Sequence, residues 1–219
     1  MRLTFSGDSR KGWSPRRSGP SLPQVALTFD DGPDPRYTPV ILATLARWQV
    51  RATFFMVGEQ AQAYPDLVRR VYEEGHDIGN HTLSHRHGWL TLPARTVQEW
   101  EKAQDILTGI TSTVPRFFRP PWGKATPTTR LWVRERGLLV LYSVIPGDWR
   151  YGTSPGTLAE RVLKAPCLGD IILLHDHGRL HPEAPAATVT ALEIILAGLE
   201  QRGVKAVPLR EWWPLYRRK

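Results

Sequence analysis

Short apolar runs alternate along this chain with longer stretches whose apolar residues recur at helical spacing. Residues 25–29, 52–57, 77–80, 117–119, 138–144, 171–174 and 204–207 read as short buried strands. Helical patterns fall between several of them, at 39–48, 65–74, 96–110, 128–136 and 187–201. Gly75, Gly137 and Gly203 follow three of these helices, as left-handed C-terminal caps often do. Alternating β and α predicts a parallel sheet or barrel, an α/β fold, rather than a sandwich. No internal repeat at a fixed period is visible. Residues 1–24, rich in Ser, Gly, Pro, Arg and Lys, read as a flexible tail or linker, which leaves 25–219 as a single folded domain. The aromatic stretch Trp212-Trp213-Pro214 is expected to pack against that domain, being too short and proline-broken for a membrane-surface anchor.

In parallel folds the chemistry gathers past the C-terminal ends of the strands, so polar, reactive residues should cluster just after the apolar runs. They do. The first strand ends in Thr28-Phe29-Asp30-Asp31-Gly32-Pro33. Two adjacent carboxylates there point different ways into one pocket, so one can ligate a metal while the other acts as a base. An acidic turn with a capping aspartate is the structural alternative. After the third strand, His81 and His85 are four residues apart, a spacing that puts both rings on one face of a helical turn and within reach of one metal ion. With Asp31 they make a three-ligand set that leaves positions open for water. His87 is a possible fourth ligand, though its extra spacing favours a loop role.

After the fourth strand, Arg119-Pro120-Pro121-Trp122-Gly123 is a proline-stiffened loop. Its guanidinium suits orienting a carboxylate, and its indole suits an apolar wall for a sugar or acetyl methyl. Asp148-Trp149 follows the fifth strand, and His175-Asp176 ends the sixth. A histidine in that position is placed to donate a proton near neutrality. Each segment alone has a plain structural reading. Their coincidence at the ends of different strands carries the weight.

The segments TFDDGP (28–33), HTLSH (81–85), RPPWG (119–123), DW (148–149) and ILLH (172–175) resemble the successive motifs of the polysaccharide deacetylase family, the carbohydrate esterase family 4 group built on the NodB homology domain. The resemblance runs from about Val25 to Leu209. It implies a distorted (β/α) barrel, usually of seven parallel strands, and an Asp-His-His metal site, zinc commonest, with cobalt or another divalent metal as variants. It implies Asp31, His81 and His85 as ligands, Asp30 as general base, Arg119 as its positioning partner and His175 as general acid. Trp122 would line the site and offer its backbone N–H to the oxyanion, with Pro121 and Trp149 beside the substrate. The family's fourth motif often has two aspartates three positions apart; here the first position is Ile145, and Asp148 remains. If the missing carboxylate orients the acid histidine, His175 either lacks its partner or borrows Asp148 or Asp176.

The expected activity is removal of N-acetyl groups from N-acetylglucosamine-type residues of a polysaccharide, peptidoglycan or chitin-like. The alternatives are an O-acetyl esterase or small cyclic amide hydrolase on the same scaffold, or a non-catalytic carbohydrate-binding relative. Trp89, Trp122 and Trp149 mildly favour a sugar surface. Composition narrows the field: 41% hydrophobic and 23% charged residues exclude a disordered or collagen-like chain. The net charge of +8 is partly terminal, at Arg2, Arg10, Lys11, Arg16 and Arg17 and again at Arg217, Arg218 and Lys219, so solvated tails explain it as well as a binding patch. No nucleic-acid motif or basic–aromatic interleaving supports a nucleic-acid partner. The single cysteine, Cys167, forms no intramolecular disulfide and reads as a small buried hydrophobe. No stretch approaches the ~18 apolar residues of a membrane span. No apolar signal core follows Met1, so either the protein is cytoplasmic or an export segment lies upstream, while the resemblance implies the cell envelope or exterior.

Overall fold

The computed structural model describes residues 23–164 and 169–215, with side chains to 212. Cys167 and most of the expected tail lie outside the described residues. Seven strands are present: β1 (Gln24–Asp30), β2 (Thr53–Met56), β3 (Asp77–Asn80), β4 (Phe117–Phe118), β5 (Leu138–Leu139), β6 (Ile171–His175) and β7 (Lys205–Val207). All pairings are parallel, in the order β5-β4-β3-β2-β1-β6, with β7 against the start of β1. The helices are α1 (Thr38–Arg47), α2 (Gly58–Ala63), α3 (Pro65–Glu73), α4 (Pro93–Thr111), α5 (Pro127–Arg134), α6 (Pro155–Lys164) and α7 (Ala184–Gln201). Every one except α2 carries a proline in its first turn, where the missing N–H has no intrahelical partner to lose. None of the described helices is long and apolar enough to cross a membrane.

The two-residue period of β1 sorts its side chains between two cores. Val25, Leu27 and Phe29 join the large cluster under the helices, with Phe54, Met56, Ile172 and Leu174. Ala26 joins the inner cluster with Phe55, Phe117, Ile171 and Val207. Thr28 and Asp30 share the inner parity of Ala26, as His175 shares that of Ile171 and Arg119 that of Phe117. The interior row therefore changes from apolar to polar toward the C-terminal ends. β1, β2 and β6, buried on both faces, appear in the sequence as largely apolar runs.

The run at 138–144 is not one strand. β5 stops after two residues, and Val144 forms an isolated parallel bridge to Ile172, with Ser143 and Val144 N–H groups donating to Ile171 O at 3.0 and 3.1 Å. The chain thus leaves one edge of the sheet and touches the other, which makes the architecture a distorted, incompletely closed (β/α) barrel. Two helices are additional to the pattern. GEQAQA of α2 is too short to show a period, and Pro155-Gly156 masks the start of α6. Gly75 and Gly203 adopt the left-handed conformation, but Gly137 does not. Its reason is room: a Cβ there would lie 2.2 Å from Arg116 O. Trp212 is buried, and its Nε1 donates to Gln24 Oε1 at 3.1 Å.

Candidate active site

The ends of β1, β3, β4 and β6 converge on a cavity of about 160 Å³. Asp30 is the last residue of β1 and pairs in register with His175, the last of β6. Asp31 follows with φ 77°, a left-handed turn, and both carboxylates approach His81 Nε2, Asp30 Oδ2 at 3.6 Å and Asp31 Oδ1 at 3.5 Å.

Arg119 holds Asp30. It is fully buried, and its Nη1 donates to Asp30 Oδ1 at 2.7 Å and to Thr28 Oγ1 at 2.8 Å. Its Nη2 donates to Leu141 O at 3.1 Å, and the guanidinium lies 4.0 Å from the Phe55 ring centroid. Burial pulls the Arg119 pKa down and Asp30 pushes it back up. Such a charge is tolerable inside a protein because nearly every N–H is satisfied.

The histidines do not lie on a helical turn. Thr82 and His85 both have positive φ, 69° and 56°, so the segment after β3 is a tight loop. Its hydrogen bonds explain the shape. Thr82 N–H donates to Asn80 Oδ1 at 2.9 Å, and Ser84 N–H donates to buried Glu99 at 2.8 Å. Gly58 and Glu59 at the start of α2 donate to Thr82 O and Leu83 O, both at 2.9 Å. The unforeseen helix α2 is thus what braces the histidine loop. His81 Nδ1 contacts Arg119 O at 2.6 Å, where it can only donate, leaving its Nε2 as a lone pair aimed into the site. His81 Nε2 and His85 Nε2 lie 3.5 and 3.1 Å from Asp31 Oδ1.

This cluster fits a divalent cation. One ligand atom from each of Asp31, His81 and His85 lies within 4.8 Å of the others, and all three residues are buried. Asp31 Oδ1 is buried without a hydrogen-bond partner, which a cation would supply. Burial would raise the Asp31 pKa, but His81 and His85 beside it hold the carboxyl well below the usual carboxylate range. Burial also lowers His85 against the pull of Asp31, favouring the neutral ligand form. His87 is outside the cluster and instead packs 5.2 Å from the Trp122 ring.

On the opposite wall His175 has a partner after all. Its Nδ1 meets Asp148 Oδ1 at 2.9 Å, and its backbone N–H donates to Asp148 Oδ2 at 2.7 Å. Thr188 Oγ1 donates to the same carboxylate at 3.0 Å. Burial opposes charge on His175, but Asp148, helped by Asp31 and Asp30, pushes its pKa up to about 10. Asp176 does not serve this role, since it turns toward Gly32 and Thr38. Ile145 is exposed and lines the cavity, and it is Asp148 that contacts His175.

Trp122 lines the cavity with its ring 4.4 Å from His85, presented by a left-handed backbone at φ 53°. Trp149 also lines it, edge-on to His175 at 5.6 Å. Pro121 is buried and lines a separate small pocket with Thr96, Trp100 and Thr129, and Trp89 is exposed outside the cavity lining. Tyr142, His177 and Arg179 line the cavity without having been singled out in the sequence. Tyr142 lay inside a run read as strand; the other two lie in a loop with no periodic signal.

A buried carboxylate–imidazole cation site between a held carboxylate and a paired histidine, at the strand ends of a parallel barrel, defines a metal-dependent hydrolase. Comparison with known proteins agrees. The family model described as polysaccharide deacetylase matches residues 18–141. A peptidoglycan-N-acetylglucosamine deacetylase of Bacillus cereus is 36% identical over 218 residues, covering 94% of this chain and 78% of that protein. A solved peptidoglycan N-acetylglucosamine deacetylase superposes with a TM-score of 0.82 at 36% identity, covering 88% of this chain and 89% of the other. An acetyl xylan esterase from Clostridium thermocellum, solved with a cobalt ion, has a TM-score of 0.80 at 35% identity over 88% and 91% of the two chains. The chain belongs to the polysaccharide deacetylase family.

Proposed function

We propose that this protein is a zinc-dependent enzyme that removes the acetyl group from N-acetylglucosamine residues of peptidoglycan at the cell envelope, with 25–219 as its catalytic domain. A held base and a paired acid facing one three-ligand cluster in a single cavity carry this reading. The relatives named for peptidoglycan supply the polymer. Two imidazoles and one carboxylate suit zinc, and cobalt fits the same donors.

Asp31, His81 and His85 would hold the cation, which would supply Lewis acidity toward the acetyl carbonyl and lower the pKa of a water. Asp30, fixed by Arg119, takes the proton as water oxygen bonds to the carbonyl carbon. The Trp122 backbone N–H helps bind the resulting oxyanion. His175, with Nδ1 committed to Asp148, presents Nε2 and delivers a proton to the sugar nitrogen as the C–N bond breaks. Acetate and the free amine result. Trp122 and Trp149 give the sugar apolar faces.

Acetate release from peptidoglycan fragments, chitin oligomers and acetylated xylan, each with zinc, cobalt or EDTA, tests reaction, substrate and metal together. Release from N-acetylated substrates that EDTA abolishes is expected. Activity confined to the xylan esters would replace the amide reading with an O-acetyl esterase. Asp30→Asn should abolish turnover and retain the metal; near-normal turnover would remove Asp30 as base.

A further inference from the structure

One wall of the cavity takes no part in that chemistry. It is the loop 176–183 between β6 and α7, which turns His177, Arg179, Leu180 and His181 toward the cavity. The loop is braced at both ends. Gly32 N–H and Thr38 Oγ1 donate to the Asp176 carboxylate at 3.1 and 2.6 Å. Arg36 Nη2 and Tyr37 OH donate to Pro182 O at 3.1 and 3.0 Å, and Arg36 pairs with Glu183 at 3.0 Å. Inside the loop, Gly178 lies so close to His181 O that a Cβ would come within 2.4 Å. At the outer rim the His181 ring stacks on Tyr151 at 3.9 Å.

Arg179 stands in this frame without a counter-ion. Its Nε is buried with no hydrogen-bond partner, and among the described residues it enters no ion pair. His177 Nδ1 is likewise buried and unpartnered. The acids nearest this wall are already engaged: Asp34 accepts from Arg36 N–H at 2.8 Å, and Asp31 faces His81 and His85. Arg179 is half-buried, so part of its guanidinium meets the cavity, while its buried Nε and the lack of an acid beside it leave hydrogen-bonding capacity that a ligand can complete. Its planar fork matches a carboxylate, two N–H groups to two oxygens. A neutral N-acetylglucosamine chain carries no such group, whereas a sugar with a lactyl ether does.

We propose that Arg179, flanked by His177 and His181, forms a subsite for the 3-O-lactyl carboxylate of an N-acetylmuramic acid residue adjoining the sugar that is deacetylated. The inference rests on the deacetylase reading and deepens it: the preferred substrate is an acidic, alternating glycan rather than a neutral homopolymer.

The test compares kcat/KM on two saccharides of equal length, an N-acetylglucosamine oligomer and an oligomer alternating N-acetylglucosamine with N-acetylmuramic acid. The metal-loaded wild type and the Arg179→Ala and Arg179→Lys variants are used. Arg179→Ala should lower kcat/KM on the acidic saccharide about tenfold or more, the size expected for a lost charge-assisted hydrogen bond, while the neutral one changes less than about twofold. Arg179→Lys should fall between. Equal losses on both saccharides, or no loss on either, would overturn the subsite. Calorimetric binding of the same saccharides to Asp30→Asn, with and without Arg179→Ala, reads the subsite without turnover. There the acidic saccharide should bind more tightly and lose that advantage with Arg179; equal binding of the two would overturn the proposal. A wild type releasing acetate from neither saccharide would defeat the deacetylase reading alone, and the binding arm would still decide the subsite.

Discussion

Replacing Asp148 with Asn tests the acid side of the site most directly. The Asp148 carboxylate accepts from the His175 backbone N–H, the His175 ring and Thr188 Oγ1 at 2.7, 2.9 and 3.0 Å. An amide keeps its shape but has one acceptor oxygen and no charge. The rise of His175 from 6.5 to about 10 corresponds to roughly 5 kcal/mol. Asp148 is its largest favourable contributor, so about 2–3 kcal/mol, or roughly two pKa units, should go with it. A cation in the ligand cluster offsets the help from Asp31 and Asp30, so the loaded enzyme titrates below 10. His175 must be protonated to donate, so kcat/KM falls as pH rises through its pKa. In Asp148→Asn that alkaline limb should move down by about two units, with a loss of about a hundredfold where the wild type is still on its plateau. Acetate release from pH 5 to 10 reads this. An unmoved limb, or a loss equal at every pH, would refute the pairing. Stability should follow the same sign. The pair's contribution is fully present below about 6.5, where His is charged even when unfolded, and is lost as pH rises through about 10. The urea-measured gap between wild type and variant should therefore shrink in strong alkali.

Arg119→Met leaves Asp30 buried without its cation and should cost about 3–5 kcal/mol in urea unfolding; a loss below about 1 kcal/mol would mean the pair is not what makes Asp30 tolerable. Gly137→Ala should destabilise by about 1–3 kcal/mol, since its methyl meets Arg116 O. Gly109→Ala, with nothing within 4 Å inside α4, should stabilise by about 0.5–1 kcal/mol, and thermal melts of the two variants should move in opposite directions. Adding zinc to metal-stripped protein at about a hundred times its Kd should raise stability by about 2.7 kcal/mol, and calorimetry showing no shift would contradict a resident ion.

Much of this fold was legible because the central strands β1, β2 and β6 are buried on both faces and every helix except α2 carries a proline in its first turn. The strand ends point to Asp30, Asp31, His81, His85, Arg119 and His175 from the sequence alone. What escaped depended on long-range contacts. The histidine spacing suggested a helical turn, but Asn80, Glu99 and the start of α2 impose a loop whose left-handed residues leave no periodic trace. The sequence leaves the partner of His175 open between Asp148 and Asp176, and the approach of the segment after β5 to β6 selects Asp148. Gly137 shows the same limit: a glycine needed for closeness and one needed for a left-handed turn are identical letters.

The register that sets Asp30 beside His175 is a seam between two portions of the chain. The three proposed cation ligands all lie on one side of it, at the ends of β1 and β3, while the proposed proton donor and its aspartate lie on the other. Edge elements open locally more readily than central ones. If β6 loosens while β1–β3 hold, a molecule keeps its metal and loses its turnover. Metal content would then overcount working enzyme in aged or partly denatured preparations, and active-site concentration is better titrated by single-turnover acetate release than by zinc analysis.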